Sequence, residues 1–132
     1  IDYGCGSFFL AIPALKLGAV AAVGVDNDTP ALTASRDNAE RNGVGERLQL
    51  FLPDDVPDMV ADVFVANILA GPLAELAPRF AALSRPGAAF AMSGILDSQH
   101  DDLLACYAPW FGRLRVARRE DWIRISGHRR ID

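Results

Sequence analysis

The stretch ADVFVANI, residues 61–68, constrains the fold of this chain most strongly. It is a short and almost continuously apolar run, which is typical of a central strand in a parallel sheet whose two faces are both covered. Stretches with helical patterns lie before and after it, and similar apolar runs recur along the chain. This alternation predicts an α/β fold with a largely parallel sheet.

The full order of elements predicts one domain over residues 1–132, a doubly wound and mostly parallel sheet of seven strands. The first strand is truncated, and an antiparallel hairpin lies at the C-terminal edge. The predicted strands span residues 1–3, 19–26, 48–52, 61–68, 88–93, 114–118 and 122–126. The predicted helices span residues 8–17, 30–42, 72–83 and 97–111. Pro30 suits a first helical turn, Gly43 a helix end, and Asp97 or Ser98 an N-cap. The residues RPG at 85–87 are expected to form a turn.

Composition places the chain among ordinary globular proteins and favours no metal site. The chain has 132 residues, of which 51% are hydrophobic and 23% are charged. A chain of this length and composition can bury one hydrophobic core. Cys5 and Cys106 form no CxxC pair and have no histidine at ligand spacing, so neither a zinc site nor a disulfide framework is expected. The cysteine pattern suits a reducing compartment, and we expect a cytoplasmic protein.

The longest apolar run, residues 8–25, approaches the length of a membrane span. Lys16 and Gly18 divide it into a helical part and a strand, and Pro13 lies within it, so we interpret it as a buried helix, turn and strand. No membrane segment is expected. The chain opens inside a strand at Ile1, and we therefore interpret it as a fragment or trimmed domain of a longer protein.

The opening residues DYGCGS predict a nucleotide-like ligand. Gly4 and Gly6 allow a tight turn and a close approach of backbone to ligand, and Asp26 at the end of the second strand can accept hydrogen bonds from two ribose hydroxyls. Dinucleotide and S-adenosylmethionine folds share this arrangement. The dinucleotide spacing requires a small residue at 9 and the methyltransferase spacing one at 8, where Phe9 and Phe8 stand. A simple strand-to-helix turn is the remaining alternative.

The residues VANILAGP at the end of the fourth strand favour the methyltransferase alternative. In a doubly wound sheet the cleft opens at the carboxyl ends of the strands beside the point where strand order reverses, so Asn67 is expected to face the ligand loop. Its carboxamide can accept a hydrogen bond from an amine and direct the amine lone pair. The alternative is that Asn67 only caps the following helix.

The chain resembles the catalytic domain of the bacterial ribosomal protein L11 methyltransferase family, of the Rossmann-like class I type. The resemblance rests on DYGCGS, VGVDND, ASRDNAERNGV, ADVFVANILAGPL, SGIL and EDWIRISG, and covers nearly the whole chain. It implies S-adenosylmethionine as cofactor, with Gly4, Gly6, Asp26, Asp28 and Asn67 as its contacts and Asn67 as the catalytic residue. It also implies methylation of lysine ε-amines and an N-terminal α-amine of a ribosomal stalk protein, which a separate N-terminal domain, absent here, would grip.

Two departures from the family pattern, Phe8 and Pro13, lie close together on the element expected to hold the cofactor. Phe8 stands where a third loop glycine is expected. Pro13 stands inside the expected helix, where a proline removes one helix hydrogen bond, clashes with the previous turn and costs about 3 kcal/mol. The alternative hypothesis is therefore a degenerate methyltransferase-fold module with impaired cofactor binding. His100 is the one candidate base, and we interpret it as a solvated surface residue.

Charge is distributed unevenly along the chain. Residues 1–112 carry 6 basic and 14 acidic side chains, a net of −8, whereas residues 113–132 carry seven arginines and three acidic residues, a net of +4. The arginines alternate with apolar residues, as on an edge hairpin with one face in water, where charge also discourages edge-to-edge aggregation. Direct binding of nucleic acid is not expected, and a ribosomal protein substrate is the expected partner.

Overall fold

The computed structural model describes residues 1–4, 10–68 and 70–132, with the side chains of 70–72 left out of the description. The chain divides into two compact units, Ile1–Pro57 and Asp58–Asp132. Each unit has its own strands, helices and core.

The first unit is a small parallel sheet with two helices. Its strands are β1 (Asp2–Tyr3), β2 (Ala22–Val25) and β3 (Leu48–Phe51), its helices are α1 (Ala11–Lys16) and α2 (Thr29–Arg41), and 3₁₀ turns lie at Gly45–Arg47 and Pro53–Asp55. The strands lie in the order β3-β2-β1, all parallel. Its core is aliphatic and consists of Ala11, Ile12, Leu15, Ala39, Val44 and Leu48.

Helix α1 begins at Ala11, three residues later than the predicted start, and this changes the meaning of Pro13. With Leu10 at the N-cap, Pro13 is the third helical residue. The first intrahelical bond is donated by the Ala14 N–H to the Leu10 carbonyl, at 3.1 Å. The backbone N–H groups of the first helical turn have no acceptor within the helix. Because Pro13 lies in that turn, its lack of an N–H removes no intrahelical hydrogen bond. The predicted loss of a helix hydrogen bond at Pro13 is wrong.

The second unit has four strands and two helices. Its strands are β4 (Ala61–Asn67), β5 (Ser84–Leu96), β6 (Phe111–Arg119) and β7 (Trp122–Arg129), and its helices are α3 (Ala70–Ala82) and α4 (His100–Tyr107). The strand order is β4-β5-β7-β6. β4 and β5 are parallel, and β7 pairs antiparallel with both β5 and β6. The predicted antiparallel C-terminal hairpin is confirmed.

Two boundaries in the second unit differ from the prediction. The residues RPG lie inside β5, which begins at Ser84, rather than in a turn before it. The last helix follows a 3₁₀ turn at Asp97–Gln99 and starts at His100, and neither Asp97 nor Ser98 is its N-cap.

The core of the second unit is aromatic. Phe64 of β4, Phe90 of β5 and Phe80 of α3 are buried with Tyr107 and Phe111, and their ring centroids lie 4.1–6.4 Å apart. The Tyr107 hydroxyl donates to the Leu73 carbonyl at 2.7 Å. Burial raises the pKa of this phenol. The hydrogen bond satisfies a buried polar group and ties α4 to the beginning of α3.

The apolar run at 8–25 contains α1 and β2, as its interpretation as helix, turn and strand predicts for the residues that are described. Among those residues, none of the helices has the length and apolar character needed to span a bilayer.

Candidate functional site

Gly4 and Asp26 lie side by side at the carboxyl ends of two adjacent parallel strands. In β1 and β2, Tyr3 is paired with Val25. The Gly4 N–H donates to the Val25 carbonyl at 2.6 Å, and Asp26 follows Val25 directly. Gly4 has φ +77°, which a residue with a Cβ adopts only with strain. The backbone alone therefore brings the start of the glycine loop beside the predicted ribose acceptor.

Asp26 and Asp28 form a tight polar turn after β2. The Asp28 N–H donates to Asp26 Oδ1 at 2.9 Å, and the Asp26 N–H donates to the Phe51 carbonyl of β3 at 3.2 Å. Asp26 is half-buried, whereas Asp28 is exposed and is the N-cap of α2 without a side-chain cap bond. An ionised carboxylate has about four lone-pair positions, so Asp26 can accept further hydrogen bonds from a ligand.

Asp2 is a further candidate that the sequence analysis did not assign. Its carboxylate is buried in β1, 3% exposed. Oδ2 accepts the N–H of Leu10, the N-cap of α1, at 2.8 Å. Oδ1 is buried and has no hydrogen-bond partner among the described residues. The only sequence signal is an acid two positions before Gly4.

The pKa of Asp2 reflects this environment. Burial raises the pKa above its usual value near 3.8, while backbone N–H donors at Leu10 and Ala11 act in the opposite direction and Asp26 adds a small repulsion. A buried carboxylate oxygen without a donor is costly. Among the described residues, Oδ1 of Asp2 is therefore an acceptor without a donor, two positions before Gly4.

Asn67 is the last residue of β4 and is half-buried, in register with Ser93 of the parallel strand β5. Helix α3 starts three residues later, at Ala70, so Asn67 is too far away to be its N-cap. The alternative interpretation of Asn67 as a helix cap is wrong. The carboxamide remains available for another role.

The remaining predicted candidates divide into two groups. Gly6 lies outside the described residues, as do Cys5 and Phe8. His100 is described: its Nδ1 lies 2.6 Å from the Asp97 carbonyl, and its Nε2 lies 3.1 Å from the Asp101 carboxylate. Nε2 also lies 3.4 Å from the Arg118 guanidinium of β6. The side chain is only 20% exposed, so the interpretation of His100 as a solvated surface residue is wrong, and its contacts suit a structural role better than that of a general base.

The seven arginines of the C-terminal segment lie on or beside β6 and β7. Arg115, Arg118, Arg119 and Arg124 are exposed, and Arg118 pairs with Asp97 at 3.2 Å. The exposed charge on the edge strand β6 matches the predicted solvated hairpin. Within residues 1–4, 10–68 and 70–132, no three histidine, cysteine, aspartate or glutamate side chains form a group that could hold a metal ion.

Known proteins resemble the chain over nearly its whole length. Residues 1–130 match the family described as ribosomal protein L11 methyltransferase. A relative with that name from Xanthomonas euvesicatoria is 57% identical over 98% of this chain and 42% of its own length. One from Pectobacterium carotovorum is also 57% identical, over 98% and 44%. The chain thus spans less than half of these relatives.

Solved structures give the same picture of the fold. A ribosomal protein L11 methylase from Lactobacillus delbrueckii is 33% identical, with a TM-score of 0.87 over 98% of this chain and 68% of that one. An RNA methyltransferase from Salinibacter ruber, solved with S-adenosyl-L-homocysteine, is 17% identical, with a TM-score of 0.76 over 99% and 80%.

These likenesses confirm the predicted fold class, a mostly parallel seven-stranded sheet of the Rossmann-like methyltransferase type with an antiparallel C-terminal hairpin. The sequence motifs, the fold and the family match over residues 1–130 all indicate the same family. The chain belongs to the ribosomal protein L11 methyltransferase family.

Proposed function

We propose that this chain is the methyl-transfer domain of an S-adenosylmethionine-dependent protein N-methyltransferase. Its substrate would be ribosomal protein L11, methylated at lysine ε-amines, the N-terminal α-amine, or both, in the cytoplasm. Membership of the family supports methylation of L11, because its relatives are named ribosomal protein L11 methyltransferases. The observation that carries it is the corner in which the Gly4 N–H bonds to Val25 beside the Asp26 carboxylate.

The side chains at this corner fit the cofactor chemically. Asp26 offers carboxylate lone pairs to the two ribose hydroxyls, and Asp28 lies in the same turn. Gly4, and Gly6 by resemblance, would leave room for the cofactor against the backbone. The methionine part of S-adenosylmethionine carries an ammonium group, and an ammonium needs an acceptor such as the unsatisfied Oδ1 of Asp2.

When bound, the cofactor supplies an activated methyl group on a sulfonium, so the protein's task is positioning rather than activation. Asn67 would accept a hydrogen bond from the incoming amine and direct its lone pair. A lysine amine has a pKa of about 10.4 in water, and burial in a cleft lowers that pKa and favours the neutral nucleophile. None of the described side chains is required as a base in this scheme.

Substrate recognition belongs to a part of the protein that this chain does not contain. The chain spans 42–44% of the length of the two relatives above. We therefore assign cofactor binding and amine alignment to residues 1–132, and the gripping of L11 to the remainder. No metal and no nucleic acid enter this assignment.

The second candidate function is a methyltransferase-fold module that no longer binds the cofactor. Phe8 in place of the expected third glycine favours it. Pro13 no longer does, because it occupies the first turn of α1 without loss of a helix hydrogen bond.

Calorimetric titration of the chain with S-adenosylmethionine and S-adenosylhomocysteine decides between the two. The methyl-transfer proposal requires saturable binding of both, with a Kd around the micromolar range. A folded chain that releases no heat with either ligand overturns the proposal and favours the degenerate module. Restoring glycine at position 8 then tests whether the phenyl ring is the cause.

A further inference from the structure

The motif SGIL at 93–96 contains a glycine whose backbone conformation and surroundings are unusual. Gly94 lies in β5 with φ +81°. The pairing of β5 with β7 shifts register between Met92 and Ile95, so Gly94 lies in an irregular part of the strand. On the other side of β5, the neighbouring Ser93 is paired with Asn67 at the end of β4. An irregular strand thus passes directly beside the proposed catalytic carboxamide.

The space at Gly94 is filled by the side chain of Asn67. A Cβ added at Gly94 would lie 2.9 Å from Asn67 Oδ1, 3.3 Å from the Ile68 carbonyl oxygen and 3.8 Å from the Ile68 carbonyl carbon. The first distance is shorter than an ordinary carbon–oxygen contact, so a side chain here must displace the carboxamide. The Ile68 backbone restricts the same space from a second direction.

We propose that Gly94 is a positioning residue for methyl transfer, because its missing Cβ lets the Asn67 carboxamide occupy one orientation against β5. This inference rests on the proposed function, in which Asn67 aligns the amine. The terminal torsion of an asparagine is broad and weakly determined by its own backbone. A carboxamide at a strand end therefore needs a neighbouring surface to fix its direction, and the Gly94 backbone is that surface. A displacement of about 1 Å at a reacting group can cost about a hundredfold in rate.

The alternative explanation is that position 94 requires glycine only because its backbone has a positive φ. Gly87 separates the two explanations, since it lies in the same strand with φ +84° and a Cβ there would come no closer than 4.0 Å, to Ile131. An alanine at either position meets the same backbone strain. Only the alanine at 94 meets Asn67.

The first test is nuclear magnetic resonance of this chain without substrate. Asn67→Ala assigns the Asn67 side-chain amide signal by its disappearance. We expect Gly94→Ala to shift that signal and Gly87→Ala to leave it in place. In the unsubstituted chain we expect the Asn67 side-chain amide to be more ordered than that of the exposed Asn27. Equal mobility of the two amides overturns the proposal even if Gly94→Ala does not fold.

The second test is kinetic. In a protein that joins this chain to the L11-gripping remainder, with purified L11 as substrate, we expect Gly94→Ala to lower kcat about ten- to a hundredfold. KM for L11 and Kd for S-adenosylmethionine should stay within about twofold. Gly87→Ala should retain kcat at a comparable loss of stability. In an Asn67→Ala background, Gly94→Ala should lower kcat no further, because both changes remove the same alignment.

The outcomes separate this inference from the function on which it rests. If Asn67→Ala leaves kcat intact, the proposed role of Asn67 is wrong, whatever Gly94 does. If Asn67→Ala abolishes transfer and Gly94→Ala behaves like Gly87→Ala, only the positioning role is wrong. Additive losses in the double variant also contradict the positioning role, since they indicate independent effects.

Discussion

The two compact units hold their candidate functional residues by different means. In the first unit, backbone hydrogen bonds between parallel strands place Gly4 beside Asp26. In the second unit, Asn67 ends a strand that packs on an aromatic core, and its Oδ1 occupies the space that a Cβ at Gly94 would need. A side-chain substitution at Asp26 should therefore remove a proposed ligand contact without moving the backbone of β1 and β2. In the second unit, a substitution at Gly94, 27 positions along the chain from Asn67, should move the carboxamide itself.

The largest expected effect lies in the aromatic core of the second unit. Phe90 contacts the rings of Phe64, Tyr107 and Phe111, at centroid distances of 6.0, 5.5 and 4.1 Å. Phe90→Ala should cost about 3–5 kcal/mol of unfolding free energy through lost burial and a cavity. Leu15→Ala is the matched deletion in the aliphatic core of the first unit, with an expected cost of about 2–5 kcal/mol. Urea denaturation of both variants measures the difference, and a larger loss for Leu15→Ala would contradict the contrast between the cores.

The next effect concerns Asp26, the proposed ribose acceptor of the first unit. In the unsubstituted chain the Asp28 N–H donates to Asp26 Oδ1 at 2.9 Å. Asp26→Asn keeps an oxygen for this bond but loses the negative charge and one acceptor oxygen. Hydrogen bonds to charged groups contribute about 1.5–3 kcal/mol, so we expect at least about a tenfold weaker Kd for S-adenosylmethionine by calorimetry. Unfolding free energy should change by less than about 0.5 kcal/mol.

Asp28→Asn is the matched control, because Asp28 is exposed and makes no side-chain cap bond. Its effect on affinity should be smaller than that of Asp26→Asn. Equal losses in the two variants would indicate a general charge effect rather than a specific acceptor at 26.

A pH-dependent effect is expected at Asp2. Burial raises its folded-state pKa, so the folded state holds this proton more tightly than the unfolded state does. The associated stability is fully present below the usual value near 3.8 and is lost as pH rises through the raised pKa. At pH values above the raised pKa, the buried carboxylate is ionised and lowers the free energy of unfolding. Asp2→Asn removes this destabilising charge.

Asp2→Asn should therefore unfold at an equal or higher temperature at pH 7 and show a flatter stability profile above pH 4, while binding S-adenosylmethionine more weakly. Thermal unfolding from pH 4 to 8, with calorimetry at pH 7, checks both. A variant less stable at pH 7 with unchanged affinity would mean that Asp2 serves the fold rather than the ligand.

The smallest effect is expected at Pro13. Because Pro13 lies in the first turn of α1, Pro13→Ala should restore no helix hydrogen bond. It should instead lower stability slightly, by at most about 1 kcal/mol, through greater freedom of the unfolded chain. Pro78 is the comparison, since it lies inside α3 and Pro78→Ala supplies an interior amide. A gain near 3 kcal/mol for Pro13→Ala in chemical denaturation would restore the original expectation of a broken helix.

Much of the fold was predictable because it depends on local patterns. The ADVFVANI run, Pro30 and Gly43 correctly predicted β4 and the limits of α2 within a residue or two. The first residues of β5 were missed because the turn signal RPG lies in an irregular part of that strand. Ser84 pairs with Ala61, and pairing with β4 resumes only at Ala89. Gly87 between them has φ +84°, so the local turn chemistry is retained within the strand.

The candidate site was predictable to a lesser degree. Gly4 and Asp26 follow from spacing, since adjacent parallel strands bring their carboxyl ends together. The unsatisfied oxygen of Asp2 depends on where the Leu10 amide lies, and the relation of Gly94 to Asn67 joins residues 27 positions apart. No sequence pattern predicts either contact, because both depend on how distant residues pack in the folded chain.

The bond from the Tyr107 hydroxyl to the Leu73 carbonyl gives the second unit a built-in optical reporter. The chain has two tyrosines, and the raised pKa of Tyr107 means that its phenolate absorbance should emerge only as the packing beneath α3 loosens. Alkaline ultraviolet titration could thus follow the integrity of the helix that succeeds Asn67 without any label.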